Sequence, residues 1–128
     1  MPFTPDPQAL TRIQVFDRID RMQWAVAVKE SALDDLRWFG KKAGRALLKE
    51  AESRLSAEPL ADTGNMKTLR PNPVAQRELR LAGRYRVLFN VDEQAEQVTI
   101  VLVGEKRGNS LVVQGEEFTA HHESGSTQ

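Results

Sequence analysis

Between Arg77 and Val91 apolar and polar residues alternate with a period of two, broken by the pair Ala82-Gly83. A period of two sends successive side chains to opposite faces of a strand, and Ala82-Gly83 is a tight-turn signal. The segment is therefore expected to form a β-hairpin, Arg77–Leu81 and then Arg84–Val91. Leu79 and Leu81 on the first strand share one apolar face with Tyr85, Val87, Phe89 and Val91 on the second. Glu78, Arg80, Arg84, Arg86, Leu88 and Asn90 fall on the other. A hairpin with one apolar face is at best marginal in water and needs a covering layer.

The residues before it supply that layer. Trp24-Ala-Val-Ala-Val28 reads as a strand. Ser31 is the expected N-cap of a first helix, with Asp34 three residues on, and Leu33, Leu36 and Phe39 make its apolar face. Gly40 stops it. A second helix is expected from Lys41 to about Ser56, apolar at Leu47, Leu48, Ala51 and Leu55 and ended by Pro59. So short a connection makes an antiparallel helical hairpin. Leu60 to Pro73, with Gly64, Asn65, Pro71, Asn72 and Pro73, reads as a loop. After the β-hairpin, Asp92–Glu96 is a polar turn and Gln97–Val103 a strand apolar on both sides, as a central strand should be. Gly108-Asn109 turns the chain into a short Leu111–Val113 strand. The order β-α-α-β-β-β predicts an α+β two-layer sandwich, an antiparallel sheet packed on a helical hairpin with the other sheet face open.

A chain of 128 residues accommodates one such core. The expected domain spans 22–114. Residues 1–21, with Pro2, Pro5 and Pro7, read as an N-terminal extension ahead of a natural start at Met22, and 115–128 as a polar tail. No cysteine is present and the only histidines are His121 and His122, so no metal and no cofactor is expected. No apolar run approaches the roughly 18 residues a membrane helix needs, and residues 1–22 lack the apolar stretch of a signal peptide. A cytoplasmic protein without a membrane partner is the expectation.

Formal net charge is zero, yet the segment from Lys67 to Arg86 holds six basic residues, Lys67, Arg70, Arg77, Arg80, Arg84 and Arg86, against the single acid Glu78. Strand parity brings Arg80 and Arg86 to one face, and the end of the last long strand adds Lys106 or Arg107. Which of these two reaches that face is left open, because that strand is apolar on both sides. Guanidinium groups stay charged and bind phosphate through two parallel N–H bonds, so this face is a candidate phosphate clamp. Surface pairing of the arginines with nearby acids explains the pattern less well, because exposed pairs contribute only about 0–1 kcal/mol.

The stretch Arg77-Glu-Leu-Arg-Leu-Ala-Gly-Arg-Tyr-Arg-Val-Leu-Phe89 resembles the ELR-x-G-x-YRV-x-F/Y core of RelE/ParE superfamily toxins. Lys67-Thr-Leu69 resembles their K-x-L segment, and Val103-Gly-Glu-Lys-Arg-Gly-Asn109 their last long strand and its basic end. The resemblance covers residues 22 to about 114 and implies a RelE-like fold. It implies the toxin of a type II toxin–antitoxin system, held inactive by a cognate antitoxin protein. One branch of the family cuts mRNA on the ribosome and inhibits translation; another poisons DNA gyrase. In the cutting branch the ribose 2′-OH attacks the scissile phosphate while basic residues stabilise the developing charge.

Carried over by position, the resemblance implies Arg80, Arg86 and Lys106 as catalytic residues of such an endoribonuclease. Lys67, Arg77, Arg84 and Arg107 are expected to bind RNA phosphate. Glu78, His121 and His122 are the candidates for acid or base. Glu78 stands where the cutting branch often has a second basic residue, and Val112 or Val113 where it has a tyrosine. These departures keep a gyrase-directed or other non-nuclease toxin, or an inactive antitoxin-bound module, as alternatives. The start-site expectation has a direct check: N-terminal mass analysis of the native protein should find a chain beginning at Met22, and an intact Pro2 terminus refutes it.

Overall fold

The computed structural model describes residues 24–118. In chain order its elements are β1 (Ala25–Val28), α1 (Glu30–Trp38), α2 (Lys41–Ala57), β2 (Met66–Thr68), β3 (Arg77–Leu81), β4 (Tyr85–Asp92), β5 (Gln97–Arg107), β6 (Ser110–Val113) and β7 (Glu116–Phe118). Six strands follow one another through the sheet as β2-β3-β4-β5-β6-β7, and β1 lies beside β5. The α+β sandwich on a helical hairpin is thus what forms. Among the described residues no helix is long and apolar enough to cross a membrane. His121, His122 and the Met22 start all lie outside the described residues.

The expected antiparallel sheet forms from β2 to β7, and β1 is added to it parallel to β5, Val26 opposite Val98 and Val28 opposite Ile100. It takes the half of that edge which β6 leaves free, since β6 pairs only with Glu105–Arg107. Three local expectations are corrected. A strand, β2, forms inside the expected loop, because Met66 buries itself opposite Leu79; three residues are too few to show a period. β7 extends the sheet into the expected polar tail, with Glu116 and Glu117 exposed and Phe118 packed inward. Finally, α1 starts at Glu30 and its cap is Lys29, already extended at φ −66° and ψ 148°, so Ser31 lies within the first turn. Glu30 there carries the negative charge that a helix N-terminus favours. Gly40, at φ 100°, holds the left-handed conformation that reverses the chain from α1 into α2.

The predicted parity of the hairpin is realised. Leu79, Leu81, Val87 and Phe89 pack with Ala32, Leu36, Leu47, Ala51 and Leu55 of the helices. Phe89, Leu55 and Leu79 are fully buried, each worth roughly 1.5–3 kcal/mol against exposure. The opposite face is less open than expected. The segment from Leu69 to Ala75 and the β6–β7 hairpin fold over part of it, forming a second core of Ala75, Leu88 and Leu102 with Val113 and Phe118 against it.

One irregularity organises both faces. Leu88 pairs with Leu102 but Phe89 pairs with Ile100, so Val101 is an extra residue on β5. Such a bulge reverses the parity of everything beyond it. Val98 and Ile100 face the helices, Leu102 enters the second core, and Val103 faces the helices again. Between β1 and β6 the outer edge of β5 is uncovered at Val103, whose N–H donates to the buried Asp35 carboxylate of α1 at 3.0 Å. Asp35 also accepts from the Gln114 side-chain amide at 2.7 Å, in the β6–β7 turn. Replacing Asp35 with alanine strands a buried N–H and frees that turn. Urea unfolding of Asp35→Ala should show a loss of about 1–3 kcal/mol, with the Val103 amide among those whose hydrogen exchange accelerates most.

Candidate nucleic-acid interface

The face opposite the helices gathers its charge through register. Arg80 on β3 and Arg86 on β4 are direct cross-strand partners. Like charges set opposite each other are destabilising unless something offsets them. Glu78 does so: one oxygen, Oε2, lies 3.3 Å from Nε of Arg80 and 3.3 Å from Nε of Arg86. Lys67 stands opposite Glu78 on β2, on the same face and exposed. Four side chains thus form a cationic cluster on neighbouring strands.

Arg86 is the floor of this cluster and not its rim. It is only 7% exposed, and its Nη1 donates to the carbonyls of Gly83 at 3.0 Å and Tyr85 at 3.1 Å. Burial pushes its guanidinium down from the ordinary arginine range; Glu78 opposes the shift and Arg80 adds to it. Arginine still carries its charge at neutral pH. A charge that is buried, oriented and partly desolvated interacts more strongly with an incoming anion than one in water. Arg80, more exposed, stands beside it.

The bulge at Val101 decides the matter the sequence left open. With parity reversed, Gly104 pairs with Arg86 and Lys106 shares their face, while Glu105 pairs with Tyr85 on the helix side. Arg107 follows Glu105 there and donates to it at 3.0 Å. Arg84 also turns to that side: it donates to the Tyr85 hydroxyl at 2.6 Å, covers the Tyr85 ring and approaches Glu105 at 3.6 Å. The hydrogen bond to the Tyr85 hydroxyl, then the charge of that phenol and of Glu105, push the Arg84 guanidinium up from the ordinary arginine range against the opposing effect of burial. Arg84 and Arg107 are therefore not brought to the cluster.

Arg77 is not brought there either. It has the parity of Leu79 and Leu81, is buried, and donates to Thr68 Oγ1 at 2.7 Å and to the Ala61 carbonyl. This arginine ties the α2–β2 connection to the sheet, and its expected role as a phosphate contact is corrected. The alternation itself held the signal, since residues 77, 79 and 81 share one side. Tyr85 is on the helix side with its ring edge-to-face on Phe39, so it does not replace a groove tyrosine. Of the two valines considered for that position, Val113 is the one in the second core.

A groove of about 650 Å³ lies beside the arginines on this face, with Lys67 and Arg70 on one wall, Ser110 and Phe118 on the other and Glu78 and Leu88 between them; Arg80, Arg86 and Lys106 do not line it. Its first wall is built by Asn72, a residue the sequence marks only as a turn former. The Asn72 amide donates to the carbonyls of Arg70 and Ala75 and accepts from the N–H groups of Val74 and Ala75. All of its hydrogen-bonding capacity goes into holding one loop conformation.

Several solved structures share this architecture. In the RelBE2 toxin–antitoxin complex of Mycobacterium tuberculosis, the matching chain is 27% identical, with a TM-score of 0.57 over 66% of this chain and 92% of that one. The archaeal RelE–RelB complex of Pyrococcus horikoshii OT3 matches at 20% identity and TM-score 0.53, covering 68% of this chain and 99% of its own. A mutant of the E. coli toxin RelE in the free state matches at 25% identity and TM-score 0.50, over 67% and 86%. No family model and no curated protein matches the chain. The fold is RelE-like.

Beside Arg86 strand β5 itself contributes no side chain, because it carries Gly104 there. A Cβ on Gly104 would lie 2.6 Å from the Val112 carbonyl oxygen, a backbone atom of β6. Only glycine lets β6 close on β5 next to the arginine pair. Gly104→Ala should push β6 away and cost about 1–3 kcal/mol, read as a lowered denaturation midpoint.

Proposed function

We propose that this RelE-like chain is the toxin of a type II toxin–antitoxin pair, acting as a ribosome-dependent mRNA endonuclease that inhibits translation. The observation that carries the reading is the arginine pair: Arg80 and Arg86 set directly opposite each other on the sheet face away from the helices. Its fold is that of RelE chains crystallised with RelB antitoxins, which supports a cognate antitoxin as partner. In this reading the groove receives single-stranded mRNA in the ribosome. Arg86 and Arg80 hold the scissile phosphate and stabilise the charge that develops on it as the ribose 2′-OH attacks. As the 2′-O–P bond forms the P–O5′ bond breaks, leaving a 2′,3′-cyclic phosphate; the 2′-OH proton passes to water, Lys106 on the same face protonates the departing 5′ oxygen, and Lys67 carries the neighbouring phosphate. No cofactor takes part.

A second reading has its own support. Val113, not a tyrosine, packs beside Gly104, and the acid nearest the arginines, Glu78, is engaged by both of them. A groove that binds phosphate without cutting it belongs to a gyrase-directed or other non-nuclease toxin, or to an inactive antitoxin-bound module.

In vitro translation followed by primer extension separates the two. The endonuclease reading expects new 5′ ends in a translated message, and Arg86→Ala should slow their appearance at least about a hundredfold while the protein still folds by circular dichroism. Growth arrest with DNA-damage signalling and an intact message supports the second reading, and a harmless chain supports the inactive module.

A further inference from the structure

The cluster contains one residue that works against an anionic ligand. The geometry points to Glu78 as an internal competitor for the RNA phosphate: its carboxylate stands in the phosphate position between Arg80 and Arg86, and substrate must displace it. This rests on the reading that the face binds RNA phosphate, and it sets how tightly that phosphate is held.

The ion pairs that Glu78 makes with both arginines carry the inference. An arginine grips phosphate best through two parallel N–H groups on one edge of its planar fork. Nη1 of Arg86 is already engaged by the Gly83 and Tyr85 carbonyls. The edge left for a two-point contact is the one formed by Nε and Nη2. Glu78 Oε2 accepts a hydrogen bond from Nε of Arg80 and lies 3.3 Å from Nε of Arg86 as an ion pair beside that edge, without a hydrogen bond to it. A single carboxylate oxygen shared by two guanidinium groups occupies the place where a phosphate oxygen would bridge them. With Glu78 in place, an incoming phosphate meets an Arg80 already engaged and a like charge beside Arg86. Released, the carboxylate has a partner waiting, since Lys67 stands opposite Glu78 on β2. Glu78 is thus a resident counter-ion that keeps two facing arginines compatible with the fold while the site is empty. It is assigned a role in setting affinity and not the role of acid or base.

The test uses an uncleavable probe, a short RNA carrying a single 2′-deoxy substitution at the scissile position, titrated against the full chain. Glu78→Gln preserves shape and removes the charge. It should bind the RNA about fivefold tighter or more, and the gain should disappear when Arg86→Ala is added. Equal or weaker binding by Glu78→Gln overturns the inference, weaker binding marking Glu78 as a positioning residue. A gain that persists in the Arg86→Ala background also overturns it, because it then reflects net charge alone. If Arg86→Ala by itself leaves RNA binding intact, the phosphate-binding reading fails, and this inference with it. Should Glu78→Gln not fold, judged by its melting curve, Glu78→Ser is measured in its place with the same sign expected.

Discussion

The extra residue at Val101 is the constraint on which the two faces of the sheet depend. Strand β4 keeps a regular alternation from Tyr85 to Val91, whereas β5 changes parity in its middle. Ahead of the bulge β5 contributes Val98 and Ile100 to the helix-facing core; beyond it Leu102 goes to the second core and Val103 to the first. The same reversal sends Lys106 toward the arginine face and turns Glu105 and Arg107 away from it. Without it the basic end of β5 would present Arg107 there. Asp35 secures this arrangement from the helical layer, taking the Val103 N–H that no strand covers and the Gln114 amide of the following turn. Helices, bulge and hairpin are coupled through one buried carboxylate.

Charge on the surface is sorted by acids as much as by bases. Glu105 engages both Arg84 and Arg107 on the helix side, while Glu78 engages Arg80 and Arg86 on the other. These carboxylates differ in consequence. Glu105 holds two basic residues away from the groove, so the cationic face is narrower than the run of six basic residues suggests. Glu78 sits within the cluster itself, where two guanidinium groups set directly opposite each other on neighbouring strands would otherwise repel.

The Arg77–Val91 hairpin, both helices, and the meeting of Arg80 with Arg86 were legible from periodicity and turn chemistry. Those features are local, because a strand's own alternation states which side chains share a face. The misplacements have equally specific causes. Charge alone groups Arg77 with the basic cluster, whereas its parity sets it with Leu79, and in the fold it braces Thr68 and Ala61. Strands β2 and β7 have three residues each, too few for a period to be seen. The choice between Lys106 and Arg107 was invisible because β5 is apolar on both sides, so that a bulge leaves no mark in its pattern.

By itself, then, the sequence determined the order of elements, the covered face of the hairpin and the pairing of two arginines, since each follows from side-chain spacing and turn residues near in the chain. Tertiary structure alone decided that the opposite face carries a second core and a walled groove, that Lys106 and not Arg107 joins the arginines, and that Glu78 lies between them. These depend on contacts between segments far apart in sequence, on one irregular pairing in β5 and on which carboxylate each guanidinium meets. None of that is written in local periodicity, because it arises only when distant strands settle into register.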